Sequence, residues 1–188
     1  MNFAKLSLVF GLLLSTSRVF ATPDASPSIL VSVADQKMVL FQNGARVAEY
    51  PVSTSRYGVG DRFGSYTTPL GWMEIAQKIG QGSPLGTVFK GRQPTGEVLR
   101  PNAPGRDPIV TRILWLRGIE STTRNAYSRA IYIHGTPVES LIGRPASYGC
   151  IRMRSRDVAD VFSRVNIGTR VDITNAPLNR AISTFAAL

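Results

Sequence analysis

Two residues of this chain have the chemistry of a nucleophile and its base. Cys150 is the only cysteine and His134 the only histidine among 188 residues. A thiolate attacks carbonyl carbon, and a nearby imidazole can take the thiol's proton and return it to a leaving group. Both lie in one stretch, with His134-Gly135-Thr136 at one end and Ser147-Tyr148-Gly149-Cys150-Ile151-Arg152 at the other. Gly135 and Gly149 permit close backbone approach. The N–H groups around Gly149 and Cys150 are candidates for an oxyanion hole. One histidine and one cysteine fall short of the ligand set of a zinc site, and no metal or other cofactor is expected.

The N-terminus sets the compartment in which such a thiol would work. Lys5 supplies a positive region, residues 6–14 are apolar, and Val19-Phe20-Ala21 precedes a cleavage point before Thr22. This pattern predicts a signal peptide over residues 1–21, and hence export to the periplasm or cell envelope. An uncleaved anchor is the alternative, although the run is shorter than the roughly 18 to 20 apolar residues of a span. The remaining chain, about 167 residues, fits one domain with a single core. A lone cysteine in an oxidising compartment is an inert buried residue, an intermolecular link or a reactive thiol. The formal charge of +10 falls to about +8 without Lys5 and Arg18. That balance suits anionic envelope polymers; scattered Lys and Arg residues and export argue against nucleic acid.

The elements that would position the pair read mostly as strands. Residues 22–28 form a Pro-containing flexible leader. Residues 29–41 alternate in period two, and Asn43-Gly44 marks a hairpin into a return strand over 45–52. Residues 53–64, rich in Ser, Gly and Arg, read as a long surface loop. Residues 72–79 fit either helical spacing or a strand. Residues 80–108 carry many Gly and Pro residues and read as a surface excursion; a lid is one role for it. Residues 109–116 are a strand, and a short apolar strand over 130–133 delivers His134. Ser155 is the expected N-cap of a helix on which Val158, Val161, Phe162 and Val165 recur at helical spacing. Residues 170–174 form a last strand. Residues 175–188 form a weakly helical tail. Trp72 and Trp115 read as core rather than as sugar platforms.

Taken in order, three segments resemble the catalytic domain of bacterial L,D-transpeptidases. They are Ile131-Tyr132-Ile133-His134-Gly135-Thr136, Ile142-Gly143-Arg144-Pro145 and Ser147-Tyr148-Gly149-Cys150-Ile151-Arg152-Met153. Pro51-Val52-Ser53-Thr54 and Thr68-Pro69-Leu70-Gly71 look like the family's opening strand and its Thr-Pro-x-Gly turn. The resemblance spans residues 29–174. It implies a mainly β, β-sandwich-like fold with mixed sheets, one clear helix after Cys150 and long loops, and it favours the strand reading of residues 72–79. It implies Cys150 as nucleophile, His134 as base and then acid, and the Gly135 carbonyl as orienter of the imidazole. Arg152, Ser147 and Tyr148 would hold the site or the substrate. The substrate implied is a peptidoglycan stem peptide, cut between an L-centre and D-Ala. The thioester would pass to an amine, giving a 3→3 cross-link, or to water; a lipoprotein lysine is a further acceptor. The chain is expected to act as a monomer. Many members carry a second histidine where this chain has Tyr148, which leaves the proton inventory of the site to His134.

Two other classes stay open at this point. Papain-like wall peptidases also use Cys and His, but their cysteine comes first in the chain and here the histidine does. A non-catalytic wall-binding protein would need no intact pair, and His134, Gly149 and Cys150 are all present.

Overall fold

The computed structural model describes residues 26–185. The expected signal peptide over residues 1–21, residues 22–25 of the expected leader and residues 186–188 lie outside the described residues.

Period-two alternation builds the frame. β1 (Ser28–Ser32), β2 (Lys37–Gln42) and β3 (Ala45–Pro51) form an antiparallel meander. Asn43 and Gly44 take φ of 52° and 73° between β2 and β3, the mirror-image turn that matches strand twist. The ambiguous segment is a strand, β4 (Gly71–Ile79): Met73 and Ile75 are fully buried while Glu74 and Lys78 are only half-buried and Gln77 is exposed. The alternation prevails over the helical spacing because β4 lies between two hydrogen-bonded neighbours and its two faces meet different layers.

The excursion over 80–108 holds more structure than its composition suggests. β5 (Thr87–Lys90) and β6 (Gln93–Val98) form a hairpin, and β5 pairs with β7 (Ile109–Gly118). Val88 and Phe89 are the buried residues that tie it down. β8 (Tyr132–Gly135) runs antiparallel to β7, and β9 (Ile151–Met153) runs parallel to β8. β10 (Arg170–Thr174) inserts between β1 and β4.

The strand order is β3-β2-β1-β10-β4-β7-β5-β6, with β8 and β9 branching from β7. The sandwich-like expectation is thus met by one ten-stranded mixed sheet that branches at β7, not by two separate sheets. The main core includes Ile29, Met38, Leu40, Met73, Leu114, Leu116, Ile133, Ile151 and Met153, and α1 (Ser155–Arg164) packs into it. Val158, Val161 and Phe162 on α1 are buried there. Each contributes roughly 1.5–3 kcal/mol through removal from water.

Two helix expectations change. Ser155 is the first helical residue rather than the cap; Arg154 holds the N-cap position without a side-chain bond. The free Ser155 N–H donates instead to Glu139 Oε1 at 2.8 Å, so a carboxylate from another loop meets the positive helix end. The C-terminal tail is ordered as α2 (Leu178–Phe185), whose Leu178 and Ala181 pack against Leu30, Val39 and Phe41. Phe185 stacks on Phe41 and on Trp72, with ring centroids 4.9 and 5.4 Å away. Trp72 is a half-buried partner of that helix.

Candidate active site

β8 carries His134, and Cys150 directly precedes the adjacent β9. In the parallel β8–β9 pair, Ile133 lies opposite Ile151, His134 opposite Arg152 and Gly135 opposite Met153. Side chains alternate across a strand. Ile133, Ile151 and Met153 point into the main core with α1. Tyr132 belongs to a second cluster with Phe89 and Ile113, and Cys150 packs against it. His134 and Arg152 share this other side by alternation. The loop between residues 136 and 149 returns the chain so that Cys150 stands beside β8 just before β9.

His134 is 6% exposed. Its Nδ1 lies 2.8 Å from the Gly135 carbonyl oxygen. A carbonyl only accepts, so Nδ1 carries the proton and Nε2 is left with the lone pair of a base. Burial holds the imidazole pKa down at about 4; the Gly135 bond and Asp107 oppose that shift, and Arg152 adds to it. Gly135 admits no side chain, because a Cβ there would stand 2.6 Å from the Val110 carbonyl oxygen.

Cys150 Sγ donates to the Ala130 carbonyl at 3.5 Å. Ala130 takes a left-handed φ of 54° just before β8. Burial pushes the thiol up to about 11, against a backbone bond from Tyr132 and the charges of Arg129 and Arg152. With the imidazole low and the thiol high, the pair rests as neutral thiol and neutral imidazole.

The loop around Cys150 is tightly braced. Ser147 Oγ donates to the Cys150 carbonyl at 2.6 Å and accepts the Gly149 N–H at 3.2 Å. Ser147 is buried, and its hydroxyl is engaged in shaping the loop. The Gly149 N–H is likewise occupied, so an oxyanion there would have to displace Ser147. Gly149 takes φ of 118°, and a Cβ would stand 3.1 Å from the Thr67 carbonyl oxygen. Tyr148 is 59% exposed at the loop's outer side.

Sequence reasoning missed three participants. Asp107 is the first. Its Oδ2 pairs with Arg152 Nη1, and its Oδ1 accepts the Thr136 hydroxyl. Arg152 also donates to Ser53 Oγ at 3.3 Å and is 4% exposed. No acidic residue flanks His134 in the sequence, yet Asp107 reaches this network from 45 positions before Arg152. Nothing in the Gly- and Pro-rich stretch around Asp107 singles it out. Arg129 and Asp61 form the second pair, at 3.0 Å with 5% and 9% side-chain exposure. Arg129 also donates to the carbonyls of Gly60 and Thr67. A buried arginine needs such partners, and here it draws the 56–68 loop onto the site.

That loop departs from the surface loop expected. Ser53, Thr54 and Ser55 are buried. Ser53 and Arg152 exchange backbone bonds, and Ala146 and Ser147 donate to the Thr54 carbonyl at 2.9 Å. Thr68 Oγ1 donates to the Gly149 carbonyl at 3.0 Å.

Residues 26–173 match the family model described as YkuD, the L,D-transpeptidase catalytic domain. The chain is similar to the probable L,D-transpeptidase YcfS of Escherichia coli K12, at 29% identity over 83% of this chain and 47% of that protein. It is similar to the probable L,D-transpeptidase YbiS of the same strain, at 25% identity over 89% of this chain and 51% of that protein. The chain therefore spans about half the length of these curated relatives. Among solved structures, an L,D-transpeptidase of Mycobacterium tuberculosis H37Rv shares the fold with a TM-score of 0.52 at 17% identity, covering 79% of this chain and 57% of that one.

Proposed function

Because the chain belongs to the L,D-transpeptidase catalytic-domain family, we propose that it is an exported cysteine acyltransferase of peptidoglycan stem peptides. The observation that carries this reading is the parallel pairing of β8 and β9, with His134 Nδ1 tied to the Gly135 carbonyl. That geometry leaves Nε2 as the base on the side of the sheet where Cys150 stands.

In the reaction, His134 takes the Cys150 proton as Sγ attacks the carbonyl of the L-centre of a tetrapeptide stem. The backbone N–H of Cys150, with that of Gly149 once released from Ser147, receives the oxyanion. The imidazolium protonates the departing amine, D-Ala leaves, and a thioester remains. An acceptor amine then loses a proton to His134 and attacks the thioester, which restores the thiol. A second stem as acceptor gives a 3→3 cross-link, water gives a tripeptide, and a lipoprotein lysine gives protein attachment. Arg152 carries fixed positive charge beside the forming thiolate, as does Arg129. Burial makes the thiolate unfavourable in the empty site, which suppresses idle chemistry until substrate covers the pair.

The test is to incubate the mature protein with a disaccharide-tetrapeptide and weigh the products. A dimer that has lost D-Ala is the expected product, and a tripeptide alone would reassign the enzyme as a carboxypeptidase. Cys150→Ser and His134→Ala should each lower turnover by about 10³-fold or more. Near-normal activity in Cys150→Ser would end the thioester mechanism.

A further inference from the structure

Three tyrosines stand together on the outer side of the nucleophile loop. The ring centroids of Tyr57, Tyr66 and Tyr148 lie 6.0, 5.6 and 5.9 Å apart in the three pairings. Their planes are inclined by 46°, 46° and 85°, so none lies flat on another. Their exposures are 51%, 57% and 59%. Two other aromatic pairs behave differently: Trp115 stacks on Tyr127 at 4.1 Å and 6°, and Trp72 stacks on Phe185 at 5.4 Å and 18°. Those pairs cover their ring faces, whereas the tyrosine triad displays them.

The triad is also held in place. Tyr66 sits at a left-handed φ of 57°, a backbone state that a bulky residue adopts only when its surroundings impose it. Its carbonyl accepts the Ser55 hydroxyl. Arg56 lies 4.9 Å from the Tyr148 ring and donates to the Ala146 carbonyl at 3.1 Å, so it braces one side of that ring. Because the 53–68 loop is stitched to residues 144–152, the backbone that carries the three rings is fixed relative to that of Cys150. Rigid tyrosines with an adjacent arginine form a surface that binds at low entropic cost.

We propose that Tyr57, Tyr66 and Tyr148 form a saccharide-binding pad that holds the sugar rings to which the stem peptide is attached. This deepens the function proposed above and rests on it. A pyranose presents a flat face of C–H groups edged by hydroxyls. The triad presents apolar ring faces edged by phenolic hydroxyls and the free N–H groups of Arg56. A stem peptide with its carbonyl at Cys150 extends away from the thiol, and Tyr148, two residues from Cys150 in the chain and 59% exposed, offers its glycan end an open aromatic surface. A protein acceptor on this pad is the competing occupant.

The experiment compares kcat/KM for a disaccharide-tetrapeptide with that for the same tetrapeptide without sugar, in wild type, Tyr57→Ala and Tyr57→Phe. Wild type should prefer the glycosylated donor by about tenfold, mainly through KM. Tyr57→Ala should bring the ratio close to one, and Tyr57→Phe should keep most of it. Equal use of both donors by wild type would overturn the pad, as would a preference that survives Tyr57→Ala. If neither donor is turned over, the transpeptidase reading fails, and direct binding decides the pad alone. A peptide-free N-acetylglucosamine tetramer, titrated by NMR, should then bind wild type about tenfold tighter than Tyr57→Ala. Equal or absent binding would overturn it.

Discussion

At the residue scale, the proposed pair is a buried His134 and a partly buried Cys150, and desolvation favours the neutral form of each. The resting thiol should alkylate slowly near neutral pH. Iodoacetamide labelling of Cys150 should accelerate with a midpoint above the ordinary thiol value of 9.0, toward about 11. A midpoint below 7 would mean that a thiolate–imidazolium pair exists at rest. The same shifts set a stability window. As pH falls below the ordinary imidazole value of 6.5, the unfolded chain binds a proton before the folded one, so stability declines down to about 4. As pH rises past 9.0, the unfolded chain loses its thiol proton first, and stability declines again up to about 11. Asp107 is the positioning residue of this set. Asp107→Asn removes the negative partner of Arg152, whose charge then acts on His134 without opposition. The acid limb of the pH–kcat/KM profile should move to lower pH, and stability should fall by about 1–2 kcal/mol, since Asp107 is one-third exposed. An unmoved acid limb would leave Asp107 with a purely structural role.

At the element scale, function rests on loops anchored to a strand pair. β8 carries His134, and Cys150 precedes the paired β9, while the 53–68 loop closes over Gly149. The Arg129–Asp61 pair is the anchor that fastens this loop. Arg129→Met leaves Asp61 buried without its cation, and urea unfolding should show a loss of about 3 kcal/mol. Replacing both, Arg129→Met with Asp61→Leu, should recover most of that loss, because the cost lies in the orphaned charge. If the double variant is no better than the single one, the contribution comes from the carbonyl bonds to Gly60 and Thr67. Asp107, two residues before β7, is a second anchor of this kind and ties the end of the 80–108 segment to Arg152.

At the scale of the whole molecule, the chain is one branched sheet with α1 and α2 packed on it and a strongly basic surface. No helix among the described residues is long and apolar enough to cross a membrane. The charge of +10, about +8 without the signal peptide, should draw the protein to anionic wall polymers. Retention on purified peptidoglycan carrying anionic polymer should fall severalfold as the screening length shrinks from about 10 Å at 0.1 M salt to about 3 Å at 1 M. Retention that ignores salt would place recognition on the site alone.

Local chemistry in the chain determined a good part of this protein. Period-two alternation specified most strands, Asn43-Gly44 specified the first hairpin, and the spacing of Val158, Val161 and Phe162 specified α1. A single Cys and a single His, in an ordered motif, pointed to the candidate site. Those signals are short-range, so they survive without knowledge of partners. Only the tertiary structure decided the rest. Residues 72–79 became a strand because neighbours on both sides demanded it. Residues 178–185 became a packed helix rather than a weakly helical tail because α2 found Leu30, Val39 and Phe41 to cover. Asp107, Arg129 and Asp61 carry no local signature. Their meaning comes from burial and from partners tens of residues away. The same holds for Tyr57 and Tyr66, which read as loop residues until folding set them against Tyr148.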